Sequence, residues 1–143
     1  MRFGLGPGKI AALCPGAEFG PAKRWPATHF GTLAQALAAQ GYQVCLLGWE
    51  KDRDLGAAIV QSSAGHALNL CGRTQLSDAI LLLASADRVV TNDSGLMHVA
   101  AALGKPLVAL YGSSSPEFTP PLTARARILS LQLPCSPCYA RTC

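Results

Sequence analysis

The sequence predicts an α/β protein built as a Rossmann-like open parallel sheet with helices on both faces. From Lys9 onward, short apolar runs alternate with longer stretches of helical pattern, which is the signature of βαβ units and a parallel sheet. The polar motifs fall at the carboxyl ends of the apolar runs, where the loops of such a sheet gather and bind ligands. At 143 residues the chain has the length of one domain, and folding would bury about 70% of its unfolded surface in a single core.

Ile10-Ala11-Ala12-Leu13-Cys14 is a continuous apolar run stopped by Pro15-Gly16, as expected of a buried strand that ends in a turn. A helix follows over about 28–40, with Pro26 near its start and Gly41 just past its end, both common helix punctuation. Val44 to Leu47 is the second strand, Asp52 to Ser62 the second helix and Ala67 to Leu70 a short third strand. Gln75 to Ser85 reads as a helix, Arg88 to Thr91 as a strand, Gly95 to Leu103 as a helix and Leu107 to Tyr111 as a strand, with Gly104-Lys105-Pro106 separating the last two. A Ser/Pro-rich loop then runs to Pro121, and Arg127 to Leu131 adds a final strand.

With 50% hydrophobic and 14% charged residues, the composition excludes a disordered chain. The net charge of +4 favours an acidic small molecule or surface. Scattered basic residues do not make the stripe that nucleic acid requires, so no nucleic-acid partner is expected. No run of eighteen apolar residues and no apolar signal-peptide core is present, which places the chain in the cytosol.

Thr91-Asn92-Asp93-Ser94-Gly95-Leu96-Met97-His98 is the most informative segment. A strand, a tight polar turn and a helix start follow in quick succession, aiming unpaired backbone N–H groups and a partial positive charge at one point. Phosphates bind such places. An acid, a hydroxyl, a glycine and an imidazole within six residues exceed what a connector needs, and the segment reads as one wall of a nucleotide-sugar site.

Three long patterns occur in order: Pro15-Gly16-Ala17-Glu18-Phe19-Gly20-Pro21-Ala22-Lys23-Arg24-Trp25-Pro26, then Thr91 to Leu103, then Pro106-Leu107-Val108-Ala109-Leu110-Tyr111-Gly112. Together they closely resemble the ADP-heptose:lipopolysaccharide heptosyltransferases of glycosyltransferase family 9, the type II branch above all. The resemblance implies the C-terminal, donor-binding half of a two-domain GT-B enzyme that transfers heptose to the inner core of lipopolysaccharide with inversion. It implies ADP-L-glycero-D-manno-heptose (ADP-heptose) as donor substrate, no required cofactor, and a position peripheral to the inner membrane for the full enzyme. The partners would be an N-terminal acceptor domain and, through it, the lipopolysaccharide core. The general base would lie in that domain, since its glycine-rich turn has no counterpart here, so no catalytic residue is expected in this chain and the chain alone is expected to be inactive. Residues 1–9 are expected to be a linker or a cut point, 10–133 the nucleotide-sugar-binding domain and 134–143 a cysteine-containing tail that is cut short.

The same resemblance gives the donor-binding candidates: Lys23, Asp52, Thr74, Asp93, Ser94, Gly95 and His98. Lys23 would meet the diphosphate; its plain alternative is a solvated lysine. Ser94 and Gly95 would offer backbone N–H groups, glycine permitting close approach, or simply start a helix. Asp93 would be repelled by a diphosphate and is expected on sugar hydroxyls or as a helix cap. His98 shares a helix face with Ser94, within reach of a phosphate or heptose oxygen, or packs as an ordinary histidine. Asp52 stands where dinucleotide folds hold ribose, with Glu50 as its rival, and Thr74 and Leu76 would line an adenine pocket or cap and pack a helix. Gly112 to Ser115 would close over the phosphates or lead out of the sheet, and Glu18 would face the acceptor. Arg24 is expected to be exposed and Trp25 to anchor the following helix.

Cys14, Cys45 and Cys71 lie in or beside apolar runs and are expected to be reduced core residues. Cys135-Ser136-Pro137-Cys138 with Cys143 has ligand-like spacing, but three thiolates leave a structural zinc site one ligand short. Reduced, disordered cysteines are the expectation there. Competing functions are a stand-alone nucleotide-binding or regulatory module, an interaction domain linked by zinc through the terminal cysteines, and a transferase for another nucleotide-sugar. A receiver module would need a clustered acidic pocket by the first strand, and Ile10 to Gly16 has none.

Overall fold

A computed structural model describes residues 2–143. Six parallel strands form one sheet: β1 (Lys9–Cys14), β2 (Tyr42–Leu46), β3 (Ala67–Asn69), β4 (Arg88–Asn92), β5 (Leu107–Tyr111) and β6 (Ala126–Ser130). Their spatial order is β3-β2-β1-β4-β5-β6, the doubly wound Rossmann arrangement. The alternation of apolar runs foretold the strands, and each lies within two residues of its expected position. Strand order follows from the crossovers, which carry the chain outward from β1 to β3 and then back to β4 on its other side.

Four helices supply the crossovers: α1 (Ala27–Ala39), α2 (Arg53–Ser62), α3 (Leu76–Ser85) and α4 (Gly95–Ala102). On one face Phe30 and Ala34 of α1 and Ile59 of α2 pack on Leu13, Val44 and Leu46. On the other, Leu82 and Leu83 of α3 and Met97 and Ala100 of α4 pack on Ile10, Ala12, Val89, Leu107 and Ala109. Strands buried on both faces need no alternation, and the burial of Ile10 through Cys14 without a break is the direct result. Trp25 meets Phe30 edge-on at 5.0 Å between ring centroids, an anchor for the start of α1.

Gly31 sets the approach of α1 to α2. A Cβ there would lie 2.3 Å from Ser62 Oγ and 2.8 Å from its backbone carbonyl carbon. In an exposed helix Gly→Ala gains about 1 kcal/mol, but overpacking a filled interface costs about 1–3 kcal/mol. Gly31→Ala is therefore expected to lower the urea midpoint; a raised midpoint would mean that the two helices part freely.

At the N-terminal end Leu5 is buried, and Gln43 Oε1 accepts from the Gly6 N–H at 2.7 Å. The segment expected as a linker thus carries a core residue and leads into a strand that starts at Lys9. At the other edge β6 pairs with β5 but is largely exposed. Beyond it the tail folds back: the Tyr139 N–H donates to Ser113 O at 2.7 Å, and the Ala22 N–H donates to Arg141 O at 3.0 Å. The tail, expected to be disordered, is therefore docked on the loops after β1 and β5. Among the described residues no helix is long and apolar enough to cross a membrane.

Candidate functional site

β1 and β4 are neighbours whose crossovers leave in opposite directions, and in such sheets the crevice beyond their carboxyl ends is the ligand position. The loop after β1 and the turn after β4 meet there. An open cleft of about 420 Å³ is lined by Phe19 and Lys23 from the first loop, Asp93, Ser94, Gly95 and His98 from the second, and Thr119 and Arg141 from the C-terminal third. Its volume is that of a small-molecule site.

Asn92 holds the two loops together. It is fully buried; its Nδ2 donates to Pro15 O at 2.7 Å, and its Oδ1 accepts from the Trp25 N–H at 3.1 Å. The carbonyl can only accept and the amide N–H only donate, so the side-chain orientation is determined. Pro15 and Trp25 are the two ends of the segment that carries Lys23, and Asn92 staples both.

Lys23 ends a one-turn 3-10 helix at Pro21–Lys23 that the periodicity does not announce. Its Nζ lies 2.9 Å from Asp93 Oδ2, the two side chains being 16% and 5% exposed. The same carboxylate oxygen accepts from Ser114 Oγ at 2.6 Å and Thr119 Oγ1 at 3.1 Å. Three donors thus converge on one oxygen of Asp93, and it does not cap α4. The loop Gly112 to Ser115 reaches the site through Ser114, from beneath Asp93. Tyr111 supports Thr119 by donating its hydroxyl to the Thr119 carbonyl. Burial, and secondarily the charge of Asp93, push the Tyr111 hydroxyl from 10.0 up to about 12, so it is a neutral donor at physiological pH.

Among the described residues no side chain caps the N-terminus of α4, where Ser94 is the N-cap residue. The Ser94 hydroxyl instead lies 3.3 Å from Thr91 Oγ1. A Cβ on Gly95 would meet no atom within 4 Å, so the first turn faces open space. Uncapped N–H groups and the helix dipole together attract an anion. His98, exposed one turn along, stands on the same wall of the cleft.

Asp52, expected at the ribose, stands with Gly16, Ser94 and Gly95 around a smaller pocket beside the cleft. It is 2% exposed, and its Oδ2 accepts from the Trp49 N–H at 2.9 Å, closing the turn at Glu50–Asp52. Its Oδ1 lies 3.7 Å from Arg24 Nη2 without a hydrogen bond. Arg24, expected to be exposed, is instead half-buried beside it. Glu50 pairs with Arg53 at the surface, and Glu18 pairs with Lys51. Thr74 and Leu76 lie beyond β3 around the start of α3, and neither lines the cleft. Local sequence position suggested a ligand role for Asp52 and Thr74; whether a side chain turns inward or sits on the far edge is a tertiary matter.

Among the described residues no group of three or more His, Cys, Asp or Glu side chains is gathered to hold a metal ion. Cys135, Cys138 and Cys143 are exposed, whereas Cys14, Cys45 and Cys71 are buried. Burial raises the Cys14 thiol well above its ordinary range and pushes Cys45 and Cys71 from 9.0 to about 12. The thiolate is the nucleophile, so iodoacetamide at pH 8 should label Cys135, Cys138 and Cys143 in the native chain and the other three only in denaturant. Labelling of all six at equal rates, followed by mass spectrometry, would contradict the buried placement.

The fold and the position of its cleft define a Rossmann-like domain of the type found in GT-B glycosyltransferases. The chain belongs to glycosyltransferase family 9 (heptosyltransferase), whose model matches residues 4–143. It is 57% identical over 126 residues to lipopolysaccharide heptosyltransferase 2 of Escherichia coli strain K12, covering 85% of this chain and 36% of that protein. The solved ADP-heptose lps heptosyltransferase II of E. coli superposes with a TM-score of 0.80 at 54% identity, over 85% of this chain and 38% of that one. An E. coli heptosyltransferase solved with ADP-2-deoxy-2-fluoro heptose matches with a TM-score of 0.73 at 25% identity, over 85% of this chain and 36% of the other. The chain thus spans about a third of the length of the relatives it matches.

Proposed function

We propose that this chain is the donor-binding half of an inverting heptosyltransferase and that its cleft takes ADP-heptose. The observation that carries this is the uncapped N-terminus of α4 beside Lys23 at the switch point of the sheet. Family membership and a relative solved with an ADP-heptose analogue support it. In the reaction an acceptor hydroxyl attacks the anomeric carbon, the bond from that carbon to the β-phosphate oxygen breaks, and negative charge builds on departing ADP. Lys23 and the N–H groups of Ser94 and Gly95 meet that charge preorganised, with no cofactor required. His98 donates to a phosphate or heptose oxygen, and Asp93 holds Lys23 in place and faces the sugar hydroxyls. Asp52 closes the turn after β2 and stands with Ser94 and Gly95 around the adjoining pocket, on the side where the ribose would lie.

The acceptor hydroxyl and the base that deprotonates it belong to a facing N-terminal domain, so this chain binds donor without transferring heptose by itself. The whole enzyme works on the lipopolysaccharide core in the cytosol, at the inner membrane surface.

The test is a two-dimensional NMR titration of the labelled chain with ADP and then ADP-heptose. Saturable shifts at Lys23 and at Ser94 to His98 are expected, and a folded spectrum indifferent to both ligands would overturn the proposal. His98→Ala should weaken ADP-heptose binding by about 1–3 kcal/mol, the value of a charge-assisted hydrogen bond; unchanged affinity would remove His98 from the site.

A further inference from the structure

Lys23 cannot by itself make the cleft attractive to a diphosphate, because its charge is already met by Asp93 at 2.9 Å. Glu18, the other acid on the rim, is met by Lys51. Among the residues lining the cleft this leaves Arg141 as the one full cation without a carboxylate within ion-pair distance, among the described residues. A ligand carrying two or more negative charges is drawn to such an uncompensated cation, and a guanidinium can bind phosphate through two parallel hydrogen bonds.

Arg141 is not a loose surface arginine. Its carbonyl accepts from the Ala22 N–H at 3.0 Å, one residue before Lys23. Gly20 makes room for this contact: a Cβ there would lie 2.6 Å from Arg141 O, and its φ of +154° is one that side chains avoid. The guanidinium carbon stands 5.3 Å from the centre of the Phe19 ring, and Lys23 Nζ stands 5.5 Å from the same ring. Farther back the tail is pinned by Tyr139, whose hydroxyl accepts from the Ser115 N–H at 3.2 Å, and by Ser136, whose hydroxyl donates to Gly112 O at 2.6 Å. One aromatic ring thus holds two cations at the mouth of the cleft, one of them brought by the last residues of the chain.

We infer that Arg141 is a second phosphate-binding residue of the cleft, which the docked tail delivers across Gly20. This rests on the donor-binding proposal and adds to it a dependence on the number of phosphates. Calorimetry on the 143-residue chain with ADP, AMP and adenosine separates the two. Arg141→Ala should weaken ADP roughly tenfold or more, as expected for a charge-assisted bond, weaken AMP less and leave adenosine unchanged. Arg141→Lys should recover part of the loss. The docking contact uses the backbone of Arg141, so its side-chain variants should keep the tail in place; Gly20→Ala should displace the tail and reproduce the ADP-selective loss. If Arg141→Ala binds ADP like the wild type while Lys23→Ala does not, the inference fails and the donor cleft stands. A loss shared equally by adenosine would also overturn it, since the tail would then be shaping the cleft and not binding phosphate. A wild-type chain that ignores ADP would overturn both.

Discussion

Lys23→Ala is expected to lower both ligand affinity and stability. Affinity for ADP-heptose should fall by about 1–3 kcal/mol with the loss of a charged hydrogen-bond donor. Stability should fall by about 3 kcal/mol, the low end for breaking a buried ion pair. The low end applies because Asp93 keeps its bonds from Ser114 and Thr119 and the Lys23 side chain is still 16% exposed. The two effects separate in a second variant. Lys23→Met combined with Asp93→Asn removes both charges and should restore much of the stability, since a neutral pair of similar volume often replaces a buried ion pair without loss. It should leave binding weak. Urea midpoints and calorimetric affinities read the two quantities independently. Unchanged stability in Lys23→Ala would show that Asp93 does not depend on its partner, and restored binding in the double variant would remove Lys23 from the site.

Asn92→Ala should be comparably damaging although Asn92 is fully buried and does not line the cleft. It would leave Pro15 O and the Trp25 N–H unpaired in the interior, at about 1–3 kcal/mol each, and open a cavity besides. A total near 3 kcal/mol is the expectation. Asn92→Asp should not rescue it, because a second carboxylate oxygen would face the Pro15 carbonyl where the amide now donates. With the staple gone, the segment from Pro15 to Trp25 should exchange its amide hydrogens faster, and ADP affinity should drop with the loosening of Lys23. A variant with native stability and native exchange in that segment would show that the two loops are held by other means.

The fold was legible because parallel strands covered on both faces are continuous apolar runs, and Ile10 to Cys14 can be recognised without knowing its neighbours. The turn from Asn92 to His98 was legible for a related reason: strand end, polar turn and helix start are adjacent in sequence, so their chemistry lies in one short window. Lys23 stood out as a cation at a strand end. Asn92 carries no local signal inside the motif, because its function is a contact across 77 residues with Pro15. Thr119 and Arg141 gave no local signal at all, lying in an irregular loop and in a tail that composition marked as loose.

By itself, then, the sequence determined the local elements, the class of sheet and the phosphate-suited turn after β4, because each depends on periodicity and charge within a few residues. Tertiary structure alone decided that Asp52 turns inward to close its own turn, that Thr74 stands away from the cleft, that Lys23 is paired with Asp93, and that Arg141 returns to Ala22. Those outcomes depend on which distant groups compete for one buried donor or acceptor, and a competition among groups far apart in the chain has no period to read.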